Sequence, residues 1–398
     1  MTERLQFRTT ATLGLVAIVG FGVWFYGYGV LLEPIRQDTG WSEAVLSSAY
    51  GVSLFGSGAL ATVTGHLVHQ HGSRVVYAVG ATIAPVAYLV GASAGRVWVF
   101  ALAAVVAGSV TGALGYYALI HTVIAQLVPA DARAGAITTN TLWGAFASPV
   151  FLPLMAWLVL EVGWRGTLRL TGVLVALVFA AAAVLVPDSR GGADRPLPLR
   201  AALAAAGRDR TIRRLLTTTF ASGIVTSLVI LYQVPVMVTG GLTLAVASGL
   251  AGARGLLQLG GRIPMPWLIR RVGSRPTLRL AHLLTGVACV LLPLSGALPV
   301  AVAFAVVAGF AIGALVPVES IFSAEAVPAA SLGVVLGIAS LTRGTGAALG
   351  PVLGGALSSA TGTRTVALVA AGVVALVAAW LVPRLDRGVG AAPVTAAE

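Results

Sequence analysis

Twelve apolar stretches, each of membrane length, leave this chain few folds to choose from. They run over residues 11–32, 45–68, 75–93, 97–127, 134–160 and 167–186, and then over 212–238, 242–268, 277–296, 299–323, 331–358 and 364–382. A hydrocarbon layer about 30 Å thick needs about 20 helical residues to cross it. Only 10% of the residues are charged and mean hydropathy is +0.95, where soluble domains carry about 25% charge. Such a chain cannot cover a water-facing surface, so lipid is its solvent. The net charge of +12 would suggest nucleic acid in a soluble protein. Here the arginines cluster in short loops, which marks membrane topology and leaves no nucleic-acid reading. The run from Ala11 to Leu32 is too long for a signal-peptide core and reads as the first span. Cys289 is the single cysteine, so an intrachain disulfide is excluded.

The arginines set the expected orientation. With both termini on the cytoplasmic side of an inner membrane, 17 arginines fall on inner segments, from Arg4, Arg8 and Arg74 to Arg384 and Arg387, and five on outer ones (Arg36, Arg96, Arg165, Arg169, Arg364). That is the bias of cytoplasmic loops. The Arg-, Gly- and Pro-rich stretch 187–211 divides the chain into a bundle over 1–186 and a second over 212–398. The two repeat each other. Leu67, Gly72, Ser73 and Arg74 recur as Leu268, Gly273, Ser274 and Arg275, and Gly108-x-x-x-Gly112-Ala113-Leu114 recurs as Gly309-x-x-x-Gly313-Ala314-Leu315, both at an offset of 201. Gly144-Ala145-x-x-x-Pro149 recurs as Gly346-Ala347-x-x-x-Pro351 at 202. Two parallel six-helix repeats predict an all-α membrane protein that rocks around a site between its halves.

Three arginines lie inside apolar spans: Arg254, Arg262 and Arg343. A guanidinium keeps its charge and costs roughly 2.5–3.5 kcal/mol at the bilayer centre on insertion scales, so such a residue is a functional-site candidate by default. Arg262 is eight residues from Arg270, about 12 Å of helix, which puts it near mid-membrane. Arg254, Gln258 and Arg262 are spaced four apart and share one helical stripe. Two arginines sharing a cavity with no acid between them would take a carboxylate as their natural partner. Each could instead be structural, snorkelling or bonding backbone carbonyls. Tyr26, Tyr28, Tyr116, Tyr117, Asn140, Tyr232 and Gln233 are candidates to line the cavity. Glu319 and His121 are the candidate proton carriers, with structural pairing to a loop arginine the favoured reading of Glu319. His66, His69 and His71 sit close together, but no Cys or acid completes a metal set. Gly91-Ala92-Ser93-Ala94-Gly95 matches a hydrolase pattern but falls at the end of a span, not at a strand-to-helix turn. The reading is therefore of a carrier that is no enzyme and uses no cofactor or metal.

Gly65-x-Leu67-x-His69-x-x-Gly72-x-Arg74 resembles the loop signature of the major facilitator superfamily, with His69 where that family usually has Asp. Its second copy, Leu268-x-Arg270-x-x-Gly273-x-Arg275, also lacks the acid. Tyr28-Gly29-Val30 leading into Gly40-Trp41-Ser42, Gly163-Trp164-Arg165, Gly261-Arg262 and Arg343-Gly344 before Gly350-Pro351 resemble the monocarboxylate porter and oxalate/formate antiporter branches. That resemblance implies carboxylate binding at Arg262 and Arg343. Gln258 stands where those porters often carry Asp. The expected function is alternating-access transport of a small mono- or dicarboxylate, with protons or a counter-anion, by a monomer. Arg254 would be a gate or second anion contact. Export of drugs or other amphipathic compounds on the same fold is the alternative.

Overall fold

Among the described residues, nine stretches are long and apolar enough to cross a membrane by length and composition. The computed structural model describes residues 3–189, 209–327 and 329–384. One stretch, Gly135–Leu185, holds two crossings joined at Gly163, whose φ of 67° favours glycine. Two helical segments that the hydropathy criterion passes over, Leu244–Val272 and Ala329–Thr361, carry the intramembrane arginines. The described chain thus makes the twelve spans expected, in two groups of six. The greater part of the expected linker, residues 190–208, lies outside the described residues, as do Arg190, Arg195, Arg200, Arg208 and Arg387.

The first span runs from Glu3–Gly20 through a π turn, Phe21–Tyr26, into Tyr28–Thr39. The second is Glu43–His71 and the third Ser73–Ala92. The fourth breaks at Tyr116, between Val97–Gly115 and Tyr117–Leu127. The fifth begins as Ala130–Ala145, breaks at Phe146 and continues to Gly163, and the sixth follows to Leu185. The seventh is Arg210–Thr239, and the eighth is Leu244–Arg262 followed by Met265–Val272. The ninth is Ser274–Leu291, the tenth Leu298–Ala326, the eleventh Ala329–Thr361 and the twelfth Arg364–Leu381.

The repeat read in the sequence is repeated in the backbone. Gly72 (φ 87°, ψ 159°) and Gly273 (φ 90°, ψ 163°) turn the chain the same way between spans two and three and between eight and nine. A side chain at either would be strained. Gly112 presses on Ser57 of the second span, and its counterpart Gly313 presses on the backbone of Gln258 in the eighth. Between the halves, the second span packs on the eleventh and the fifth on the eighth. These contacts exchange under the repeat, as a pseudo-twofold axis requires.

The halves meet at one end and part at the other. At the meeting end Arg364 Nη2 lies 2.6 Å from Glu33 and 2.8 Å from Glu43, and its Nε donates to Glu43 at 3.0 Å. Arg36 completes the pairing of Glu33 at 2.7 Å. The Ala44 amide donates to Ser359 at 3.0 Å. Just inside, Gly355 abuts Ser47 and Gly51 abuts Ala348. Two turns on along the same stripe lies Gly58, and one turn from Ala348 lies Gly344. An added Cβ at either would meet nothing within 4 Å. The spans splay toward the end that bears Gly72 and Gly273.

Candidate functional site

Helix breaks from three spans converge with the end of a fourth helix on one small cavity, edged by the exposed Arg262. Phe21 and Tyr26 come from the π turn, Tyr117 from just past the break in the fourth span, and Ala145 from just before the break in the fifth. Arg262 is the last residue of its helix, before the Ile263–Pro264 interruption. With Gln258 it closes the cavity from the second half. The volume is about 90 Å³, room for about three waters. The Gly27 amide bonds Gly22 at 2.9 Å in the π pattern, so the turn carries one extra residue that redirects Tyr26. A helix C-terminus favours a cation, and discontinuous helices place charged groups at membrane depth without exposing backbone to lipid. Arg262 has no hydrogen-bond or ion-pair partner among the described residues.

Arg254, two turns along the same stripe, has no exposed surface. Its Nε donates to Gln233 Oε1 at 2.7 Å, while both terminal nitrogens and Gln233 Nε2 lack a partner. Tyr26 lies within electrostatic reach of Arg254, Tyr116 and Tyr117. Behind the cavity Phe21 stacks on Tyr116 at 4.4 Å, and the Tyr116 hydroxyl is buried and unpartnered. Tyr117 donates to the Thr141 carbonyl at 3.2 Å and stacks on His121 at 5.1 Å. Both amide atoms of Asn140 are buried without partners. Buried unpaired groups of this kind cost about 1–3 kcal/mol each, and a polar ligand between them would recover that cost.

Arg343 already has an acid partner. It is ion-paired with Glu319 of the tenth span and donates to Ser222 Oγ at 2.8 Å. Ser222 in turn donates to Glu319 at 3.1 Å, and His282 Nε2 lies 4.0 Å from the same carboxylate. Glu319 and His282 are 4% and 1% exposed, while the Arg343 side chain keeps 24%. The expectation of arginines with no acid among them is therefore corrected at this position, because spans ten and eleven bring Glu319 against Arg343. The favoured reading of Glu319, pairing with a loop arginine, gives way to pairing with one in a span.

Two tyrosines expected in the cavity pack elsewhere. Tyr28 donates to the Leu46 carbonyl at 2.8 Å and stacks on Tyr50 at 5.1 Å inside the first half. Two residues along a helix is about 200°, so Tyr26 and Tyr28 face opposite ways. Tyr232 lies at the closed end, 3.5 Å from Ser47 and under the Arg364 guanidinium at 5.8 Å. Sequence reading missed His282 and Ser222. A single histidine in a span and a serine beside a glycine carry no spacing signal, and only the meeting of spans seven, nine and ten reveals them.

Comparison with known proteins fixes the family. The profile of the Major Facilitator Superfamily matches residues 12–298 and 215–396, and the chain belongs to that family. Monocarboxylate transporter 13 of Rattus norvegicus is 32% identical over 238 residues, which cover 57% of this chain and 53% of that one. The match thus spans about half the length of the relative. Among solved structures, a bacterial homolog to the human lysosomal transporter Spinster, inward-facing and occupied, superposes with TM-score 0.79 at 17% identity, covering 96% of this chain and 97% of that one. The nucleoside transporter NupG gives 0.77 at 14% (94% and 97%). The D-xylose-proton symporter gives 0.69 at 18% (96% and 98%). At these identities the likeness shows the fold alone. The chain is thus a multi-pass membrane protein of this family.

Proposed function

We propose that this transporter moves a small mono- or dicarboxylate by alternating access, as a monomer in the cytoplasmic membrane with both termini in the cytoplasm. The carrying observation is Arg262, a permanent cation with no acid partner among the described residues, in a cavity between the halves. Arg262 takes the carboxylate, with Gln258 and Tyr117 as neutral contacts. Arg254 is the second anion contact, its free Nη atoms turned to the substrate as the halves close. The arginine bias assigns the splayed end to the cytoplasm, so this is the inward-open state. The 32% identity to a monocarboxylate transporter supports the substrate class.

Glu319 gives a route for coupling. While ionised it holds Arg343. A proton on Glu319 removes the Coulomb attraction and releases Arg343 for the substrate carboxylate. One proton then accompanies one negative charge. An anion arriving without a proton would have to displace Glu319, so the arrangement favours symport over simple anion exchange.

The test is uptake into proteoliposomes of a labelled monocarboxylate, challenged with unlabelled carboxylates and their uncharged amides. Competition by the carboxylates alone, with stimulation by an inward proton gradient, is expected. Equal competition by amides would remove the anion reading. The aromatic wall of Phe21, Phe25, Tyr116 and Tyr117 favours a second reading, export of amphipathic compounds. That reading expects apolar drugs to compete and Arg262→Ala to transport them normally.

A further inference from the structure

On the second half, at the end of the molecule where the halves part, five arginines line one open cavity of about 540 Å³. Arg210 and Arg214 come from the seventh span, Arg275 and Arg279 from the ninth, and Arg384 follows the twelfth. No acidic side chain lines it among the described residues. The nearest acid in sequence, Asp209, is engaged in capping its own helix, accepting from the amides of Thr211 and Ile212 at 2.7 and 3.1 Å. Arg275 and Arg279 are fixed by their Nε atoms, which donate to the Pro383 and Ala379 carbonyls at 2.9 and 3.1 Å. Those bonds, with a further one from Arg275 Nη2 to the Val382 carbonyl at 3.4 Å, seat the two side chains against the end of the twelfth span and leave the terminal nitrogens of Arg279 and one of Arg275 for an anion.

The bland account is that these are ordinary topology-setting arginines. The repeat argues against it. Four of the five have uncharged counterparts at the 201 offset in the first half: Thr9, Leu13, Ala78 and Ala183. The fifth, Arg275, corresponds to Arg74, beside which Asp188 accepts from the backbone amide at 3.3 Å. Both halves face the same bilayer, yet among the described residues only the second gathers unbalanced charge into a pocket.

We propose that this pocket holds the phosphate of an anionic phospholipid. Its neighbours decide for lipid over a soluble phosphate. Trp380, on the rim, is 73% exposed. It ends an apolar stripe on the twelfth span that includes Val373 and Leu376, 54% and 48% exposed. A second stripe, through Leu283 and Val287 at 41% and 46%, runs along the ninth span packed beside it. A headgroup seated among the arginines would lay its acyl chains on these two stripes. Tryptophan belongs at that depth, and basic pockets between spans on the cytoplasmic side suit anionic headgroups.

The test titrates the delipidated full chain with phosphatidylglycerol, phosphatidylcholine and inorganic phosphate, following its unfolding temperature. Phosphatidylglycerol should raise it saturably and phosphatidylcholine should not. The triple variant Arg210→Gln, Arg214→Gln, Arg384→Gln spares the two carbonyl-bonded arginines and should weaken the response about a hundredfold. The matching Lys triple variant should keep most of it. Arg270→Gln with Arg271→Gln removes charge at the same end but outside the pocket and should change little. If the Gln triple variant does not fold, mass spectrometry of the purified wild type decides, with a single retained anionic lipid per chain expected and none contradicting the site. Equal weakening by both Gln variants would reduce the pocket to diffuse charge. Saturation by inorganic phosphate alone would make the ligand a soluble anion and overturn the lipid assignment.

Discussion

The two halves share a backbone plan and differ in what they hang on it. One helical stripe reads Ser53, Ser57, Ala61 in the second span and Arg254, Gln258, Arg262 at the equivalent positions of the eighth. Ser53 is satisfied locally, accepting from Trp24 Nε1 at 2.7 Å. Arg254 is satisfied through one nitrogen only. The same holds at the charged cluster. Ser222, His282 and Glu319 correspond to Phe21, Ala81 and Ala118, and Arg343 corresponds to Thr141 at the 202 offset. Toward the centre the first half is an uncharged, largely aromatic wall. The second carries the charged groups there. Duplication supplied the hinge geometry, and the chemistry was placed on one side of it.

The comparison breaks most readily at the cluster. Arg343→Ala leaves Glu319 buried and unpaired, and should cost about 3–5 kcal/mol of stability. Adding Glu319→Ala should restore most of that, as measured by thermal unfolding of the single and double variants. Failure of the second substitution to help would mean that the pair is not the unit. At the closed end, Arg364→Gln leaves Glu43 without its cation and Glu33 to Arg36, and should cost about 1–3 kcal/mol of the contact between halves. Cross-linking of the Ser47→Cys, Gly355→Cys pair, efficient in the parent, should fall as that end opens. Glu319→Gln should fold and transport but lose its stimulation by a proton gradient, a several-fold change in initial rate. Retained stimulation would move the coupling elsewhere. The smallest effect belongs to the neutral half: Ser57→Ala should change stability and uptake by no more than about 0.5 kcal/mol. A large loss there would erase the contrast between the halves.

Much of the fold was legible in the sequence because lipid demands long apolar runs and the repeat fixes their order. Gly72 and Gly273 announced equivalent turns, and the four-residue spacing of Arg254, Gln258 and Arg262 announced a shared stripe. The π turn at Phe21–Tyr26 was not legible, since nothing in FGVWFY distinguishes an extra residue in a helix from a regular one. The partner of Arg343 was not legible either. Glu319 is 24 residues away on another span, and which faces of two helices meet is a property of packing that no local pattern encodes. Tyr28 could have been set aside beforehand, because a residue two positions from Tyr26 lies on the opposite side of the helix.

The central claim is that Arg262 recognises the negative charge of the substrate. Equilibrium binding of a short carboxylate and of its amide to the wild type, Arg262→Ala and Arg262→Lys tests it most directly. Preference for the carboxylate in the wild type, loss of about a hundredfold in Arg262→Ala and partial recovery in Arg262→Lys are predicted. Unchanged carboxylate affinity in Arg262→Ala would contradict it.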